Sequence, residues 1–174
     1  MDLKNHIRTV LNFPKDGVRF RDITPVVEDG LLFKLAIDSM LTAVEGFEFS
    51  KIAAGEARGF FFAPAMAYTL KKGFVPIRKK GKLPYITVEE KYMLEYGFET
   101  IEMNKDAIKP GEKILLLDDL LATGGTAKAM ASLIEQQGGE IVACEFLIDL
   151  VELGGRETLS NYPVISIMEF TESE

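Results

Sequence analysis

KILLLDDLLATGGT, residues 113–126, runs from a short apolar stretch through two adjacent carboxylates into a small-residue turn that opens an amphipathic segment. Residues 114–117 are unbroken apolar side chains, the pattern of a strand covered on both faces. Beyond the turn, Ala127, Met130, Ala131 and Ile134 share one helical face, and Gly138 and Gly139 end that helix. A buried strand that passes through a glycine turn into a helix is a repeating unit of α/β architecture. Similar apolar runs recur at residues 52–54, 74–77, 141–150 and 164–168, while Leu32, Leu35, Ala36, Ser39, Met40 and Ala43 share the face of another helix. The alternation predicts an open, mainly parallel, twisted sheet flanked by helices. No internal repeat, low-complexity stretch or Pro/Gly/Ser-rich linker interrupts the chain, so a single domain spanning residues 1–174 is expected.

Bulk composition narrows the possible partners. With 47% hydrophobic residues, 174 residues can bury a full core. Lys and Arg total 20 against 27 Asp and Glu, and the net charge of -7 argues against a broad polyanion surface, so nucleic acid is not an expected partner. The one cysteine, Cys144, sits in an apolar run and reads as a buried free thiol, which suits a reducing, cytoplasmic setting. Residues 1–10 alternate charged and apolar side chains, and no run approaches the ~18 apolar residues of a membrane span.

In such sheets, ligands lie beyond the carboxyl ends of the strands. At the end of 113–117, Gly124 and Gly125 let the backbone approach a ligand closely. The amides of the helix start and the hydroxyls of Thr123 and Thr126 can donate to an anion. No Lys or Arg lies between residues 114 and 127, so a phosphate there would be held by N–H groups and a helix dipole worth about half a charge. Asp118 and Asp119 have no cation in that stretch. Adjacent carboxylates at a strand end are costly unless something donates to them, as ribose hydroxyls or a bound Mg2+ would. The bland reading, a turn with a helix cap, suffices for each feature singly but not for their combination. The segment matches neither G-x-x-x-x-G-K-[ST] nor G-x-G-x-x-G, which disfavours a P-loop or dinucleotide site.

Two further strand ends carry unusual loops. Gly55-Glu56-Ala57-Arg58-Gly59-Phe60 joins a strand to a Phe- and Ala-rich helix, and Arg58 at its entrance could pair with a diphosphate. Arg78-Lys79-Lys80-Gly81-Lys82 concentrates positive charge on an acidic chain; such runs are usually wet surface, but a strand end makes this one a candidate anion site. Residues 85–92 show no clear period and read as a mobile flap able to exclude water. Residues 12–25 mix turn residues with aromatics and suit a small cap in which Phe20 could stack on a base, although on this segment alone ordinary core packing is the preferred reading of Phe20. Glu95, beside Tyr96, could accept a proton or hydrogen-bond a ring nitrogen.

The stretch 113–126 resembles the phosphoribosyl pyrophosphate motif of the type I phosphoribosyltransferases. The five segments in this order, closed by Gly154-Gly155-Arg156-Glu157, resemble the adenine phosphoribosyltransferase family over nearly the whole chain. The resemblance implies a hood at residues 1–28, a flexible flap, and a reaction joining adenine to phosphoribosyl pyrophosphate with Mg2+, giving AMP and pyrophosphate. It implies that Ala122, Thr123, Gly124, Gly125 and Thr126 hold the 5-phosphate and that Asp118 and Asp119 take the ribose hydroxyls. Arg58, Arg78, Lys79 and Lys82 would bind pyrophosphate, with Arg78 reaching the site of a second subunit in a homodimer. The backbones of Arg19 and Arg21 would read the adenine edge, Phe20 and Leu120 would enclose the ring, and Glu95, Tyr96 and Arg58 would serve catalysis. Mg2+ would be held mainly by the substrate rather than by an assigned side chain. Two departures stand out: Arg19 occupies a position that is commonly aliphatic, and Asp16 one where proline is common. Two rival readings stay open at this point, a related enzyme for hypoxanthine, guanine, xanthine or orotate, and a non-catalytic regulator sensing the same sugar phosphate.

Overall fold

The computed structural model describes residues 2–93, 97–171 and 174. In chain order the elements are β1 (Arg8–Leu11), β2 (Arg19–Asp22), α1 (Thr24–Glu28), α2 (Gly30–Ala43), β3 (Lys51–Gly55), α3 (Gly59–Leu70), β4 (Gly73–Lys79), β5 (Thr87–Met93), β6 (Phe98–Asn104), β7 (Lys113–Leu121), α4 (Gly125–Gln136), β8 (Glu140–Leu150), α5 (Gly155–Thr158) and β9 (Val164–Phe170). Seven strands form the central sheet in the order β5-β6-β4-β3-β7-β8-β9, while β1 and β2 pair separately as an antiparallel ribbon. From β4 to β9 all neighbours are parallel; β6 runs antiparallel to β4, and β5 to β6. The expected open, mainly parallel sheet is therefore present, with an antiparallel hairpin on one edge.

The apolar runs lack visible alternation because both faces are covered. Leu115 and Leu117 of β7 and Ala54 of β3 pack into the layer made by α1, α2 and α3. Ile114, Leu116 and Ala53 pack on the opposite face against Ala127, Met130, Ala131 and Ile134 of α4. Helix α2 starts where the Asp29 carboxylate accepts from the Leu31 and Leu32 amides at 2.9 and 3.0 Å, supplying two partners that the first helical turn lacks.

Register sets the site. Ala54 lies level with Leu117 and Gly55 level with Ile77, so the carboxyl ends of β7, β3 and β4 emerge side by side. Two boundaries differ from the sequence reading. Strand β7 continues to Leu121, which puts Asp118, Asp119 and Leu120 on the strand, and Gly125 already belongs to α4. Residues 85–92, expected as a flap without period, overlap β5; along it half-buried and exposed residues alternate, and with no residue fully buried the sequence pattern that would have marked a strand is weak.

Candidate active site

At the carboxyl end of β7 the chain turns through Gly124 (φ 82°) into α4, a start that no side chain caps. The first backbone hydrogen bond of the helix runs from the Lys128 amide to Gly124 O at 2.9 Å, so the preceding amides have no intrahelical acceptor. Thr123 and Thr126 are exposed on this turn and Ala122 is half-buried. The two glycines do different work. A Cβ on Gly124 would lie 2.9 Å from Thr158 Cβ and 3.0 Å from Gly155 O, whereas one on Gly125 would meet nothing closer than Thr123 Oγ1 at 3.9 Å. Of the two, Gly125 has an open side, whereas Gly124 is small because α5 packs against it.

Asp118 and Asp119 stand together where the sequence placed them, but a cation reaches them from another element. Arg58, at the start of α3, brings Nε to 2.9 Å from Oδ2 of the buried Asp119. Its guanidinium also lies 5.0 Å from the Phe20 ring centroid, a cation–π distance. Phe20 in turn meets Phe13 edge-on at 5.1 Å. One arginine thus links the cap ribbon to the aspartate pair. The Asp118 carboxylate seats against the β3–α3 turn: a Cβ on Gly59 would be 3.0 Å from its Oδ1 and one on Gly55 3.7 Å from its Oδ2. Removal from water, then the neighbouring Asp119 charge, pushes the Asp118 carboxyl well above the usual carboxylate range. Burial also raises Asp119, with Arg58 opposing it.

The basic segment is organised by two glutamates that the sequence reading passed over. Glu56 accepts from Arg78 Nη2 at 3.0 Å and from the Lys79 amide at 2.6 Å. Burial pulls Glu56 upward, yet these donors together hold it below its ordinary value. Glu102, buried on β6, accepts from the Lys82 and Leu83 amides at 2.8 Å each and so shapes the turn that presents the exposed Lys82. Lys79 Nζ pairs with Glu99 at 2.9 Å. The visible signal for Glu102 was a carboxylate between two apolar residues, Ile101 and Met103, opposite a basic turn. Strand β5 docks on α4 through Thr126 Oγ1, which donates to the Tyr92 hydroxyl at 3.3 Å, and Gln136 Nε2, which donates to Glu90 at 2.6 Å.

On the cap, Arg21 donates to Thr9 Oγ1 at 2.6 Å and to Thr171 O at 3.2 Å, and Arg19 to Glu174 O at 3.3 Å. Both side chains turn toward residues 171 and 174, away from the main chain of β2. Among the described residues, the edge of β2 away from β1 pairs with no strand. Leu120 is half-buried on β7. Glu95 and Tyr96 lie outside the described residues. Burial raises the Cys144 thiol to about 12, which makes it inert as a nucleophile at neutral pH.

A model of the phosphoribosyl transferase domain matches residues 39–167, and the chain belongs to that family. It is 51% identical to the adenine phosphoribosyltransferase of Caldicellulosiruptor bescii over 173 residues, 99% of each chain. The crystal structure of adenine phosphoribosyltransferase from Thermoanaerobacter pseudethanolicus superposes with a TM-score of 0.95 at 47% identity, covering 97% of this chain and 98% of that one. That of the Saccharomyces cerevisiae enzyme, complexed with an imino-altritol bisphosphate and adenine, gives 0.90 at 36% identity, with 95% and 96% covered. Within the family, these likenesses place the chain among the adenine phosphoribosyltransferases.

Proposed function

We infer that this chain transfers the 5-phosphoribosyl group of phosphoribosyl pyrophosphate to adenine, forming AMP and pyrophosphate in purine salvage. One observation carries the reading: strand register brings an uncapped helix start, a paired-aspartate strand end and an Arg58–Phe20 contact to one edge of the sheet. The yeast relative's complex with adenine and a sugar-like bisphosphate supports it. In the reaction the bond from the anomeric carbon to the diphosphate oxygen breaks, and a bond to adenine nitrogen forms. Positive charge grows on the ribose and negative charge on the leaving group, so placed charges matter more than a nucleophile. The amides of Gly125 and Thr126, with the hydroxyls of Thr123 and Thr126 and the Ala122–Gly124 turn, would hold the 5-phosphate. Asp118 and Asp119 would accept from the ribose hydroxyls and favour a cationic sugar. Arg58, Lys79, Lys82 and a partner's Arg78 would draw the diphosphate away, while Phe20 and Leu120 enclose the purine and β2 main chain at Arg19 and Arg21 reads its edge. Glu95, with Tyr96, would take the purine's proton.

Among the described residues no three carboxylate, imidazole or thiol groups converge to hold a metal alone. The Asp118–Asp119 pair offers hard oxygen donors beside the sugar position, which suits Mg2+ shared with the substrate. When bound, Mg2+ adds positive charge at the departing diphosphate. No helix among the described residues is long and apolar enough to cross a membrane. A homodimer fits Phe61 and Tyr68, two turns apart on α3 and 43% and 87% exposed, as a face for a second copy. Incubating the protein with phosphoribosyl pyrophosphate, Mg2+ and each nucleobase in turn tests the reading: AMP should form from adenine, and preferential formation of another nucleotide would overturn it.

A further inference from the structure

We propose that Thr158 is a positioning residue for the phosphate-binding turn, acting through the peptide between Thr123 and Gly124; the inference rests on the reading that a sugar phosphate is held there. A helical threonine commonly returns its proton to the carbonyl four residues back. For Thr158 that acceptor is Gly154 O at 3.2 Å, but Thr123 O lies nearer, at 2.7 Å. A hydroxyl has one proton to give, and the shorter contact spans 35 residues to reach the turn. The Thr123–Gly124 peptide is trans, so its C=O and N–H point in opposite directions. Drawing the carbonyl toward α5 turns the Gly124 amide away from α5, to the side on which Gly125 is open.

The seat of α5 makes the contact firm. A Cβ on Gly155 would come 2.4 Å from Ala122 O, so the helix lies directly against the turn. Behind it, Arg156 donates through Nε to Asp149 at 2.6 Å and through Nη2 to Ser166 Oγ at 2.7 Å, tying α5 to β8 and β9. The chain of contacts runs from the strand ends through Arg156 and Thr158 to the amide that faces the anion.

Thr158→Val keeps the shape and removes the proton, while Thr158→Ser keeps the proton. Calorimetry with ribose 5-phosphate should show binding weakened about tenfold in the valine variant, the effect of one lost hydrogen bond to a charged ligand's cradle, with the serine variant within about twofold of the native chain. The KM for phosphoribosyl pyrophosphate should rise in parallel while kcat and the KM for adenine stay within about twofold. Native-like affinity in the valine variant, or equal loss in both variants, overturns the inference. If the valine variant does not fold, Thr158→Ala is compared with Thr158→Ser on the same measure. A native chain that binds no ribose 5-phosphate would instead overturn the phosphate reading itself, and with it this one.

Discussion

A side chain added at the first or the second glycine of the turn meets different surroundings. Gly125→Val points into open space, so folding should persist, and ribose 5-phosphate affinity by calorimetry should fall about 100-fold or more because backbone approach is blocked. Gly124→Val meets α5 and demands φ near 82°, so it should cost stability by about 1–3 kcal/mol from backbone strain alone, seen as a lower urea midpoint. Glu95→Ala should lower turnover about 100-fold or more while leaving phosphoribosyl pyrophosphate binding largely intact; near-normal turnover would remove Glu95 from the chemistry. A third residue speaks to pH. Glu145 is fully buried on β8, neither carboxylate oxygen is hydrogen-bonded among the described residues, and burial raises it to about 8 from an ordinary value of 4.5. Between those values the folded chain keeps the proton and the unfolded chain releases it. Stability from this group therefore falls as pH rises from about 4.5 to about 8, by at most about 1.4 kcal/mol per pH unit, and levels off above. Glu145→Met should be more stable than the native chain by about 2–4 kcal/mol at pH 8 and by far less at pH 5 in paired urea titrations. A difference independent of pH would show that Glu145 has a partner when folded.

At the scale of elements, the short helix α5 does more than its four residues suggest. It closes the back of the Ala122–Gly125 turn and is itself fastened by Arg156 to Asp149, which is 1% exposed. Arg156→Met should leave that carboxylate buried without its cation. The loss should be about 2–3 kcal/mol, below the 3–5 typical of a broken buried pair because the Arg156 side chain is 41% exposed. Adding Asp149→Leu should restore part of it, as measured by chemical denaturation; no recovery would mean that Arg156 acts through Ser166 and the Val164 carbonyl instead. The hairpin of β5 and β6 is the other decisive element. It places Glu102 under the Lys82 turn and lays Tyr92 beside Thr126, so the basic segment and the Thr123–Thr126 turn share a wall.

For the molecule as a whole, the proposed homodimer would use the exposed aromatic pair on α3 and the proposed reach of Arg78. Sedimentation should give twice the chain mass, and Tyr68→Asp should shift it toward the single chain with loss of activity; a fully active monomer would refute the dimer. The strands of the parallel sheet, the helices α2 and α4, and the residues 118–126 were legible in the chain itself, because unbroken apolar runs, a 3.6-residue period and a glycine-threonine turn are local patterns. The hairpin at 87–104 was not, since half-exposed strands carry a weak alternation. Arg58 was read from sequence as a diphosphate ligand, yet its contacts with Asp119 and Phe20 join residues 38 to 61 positions apart, and only the level ends of β3 and β7 reveal them. Likewise a double glycine announces a tight turn, but which glycine faces a ligand and which faces Thr158 depends on where α5 packs. Local chemistry thus determined which residues were candidates to bind a phosphorylated sugar. Partnership among them was decided by tertiary structure, because ion pairing and van der Waals contact act over a few ångströms of space, whatever the separation along the chain.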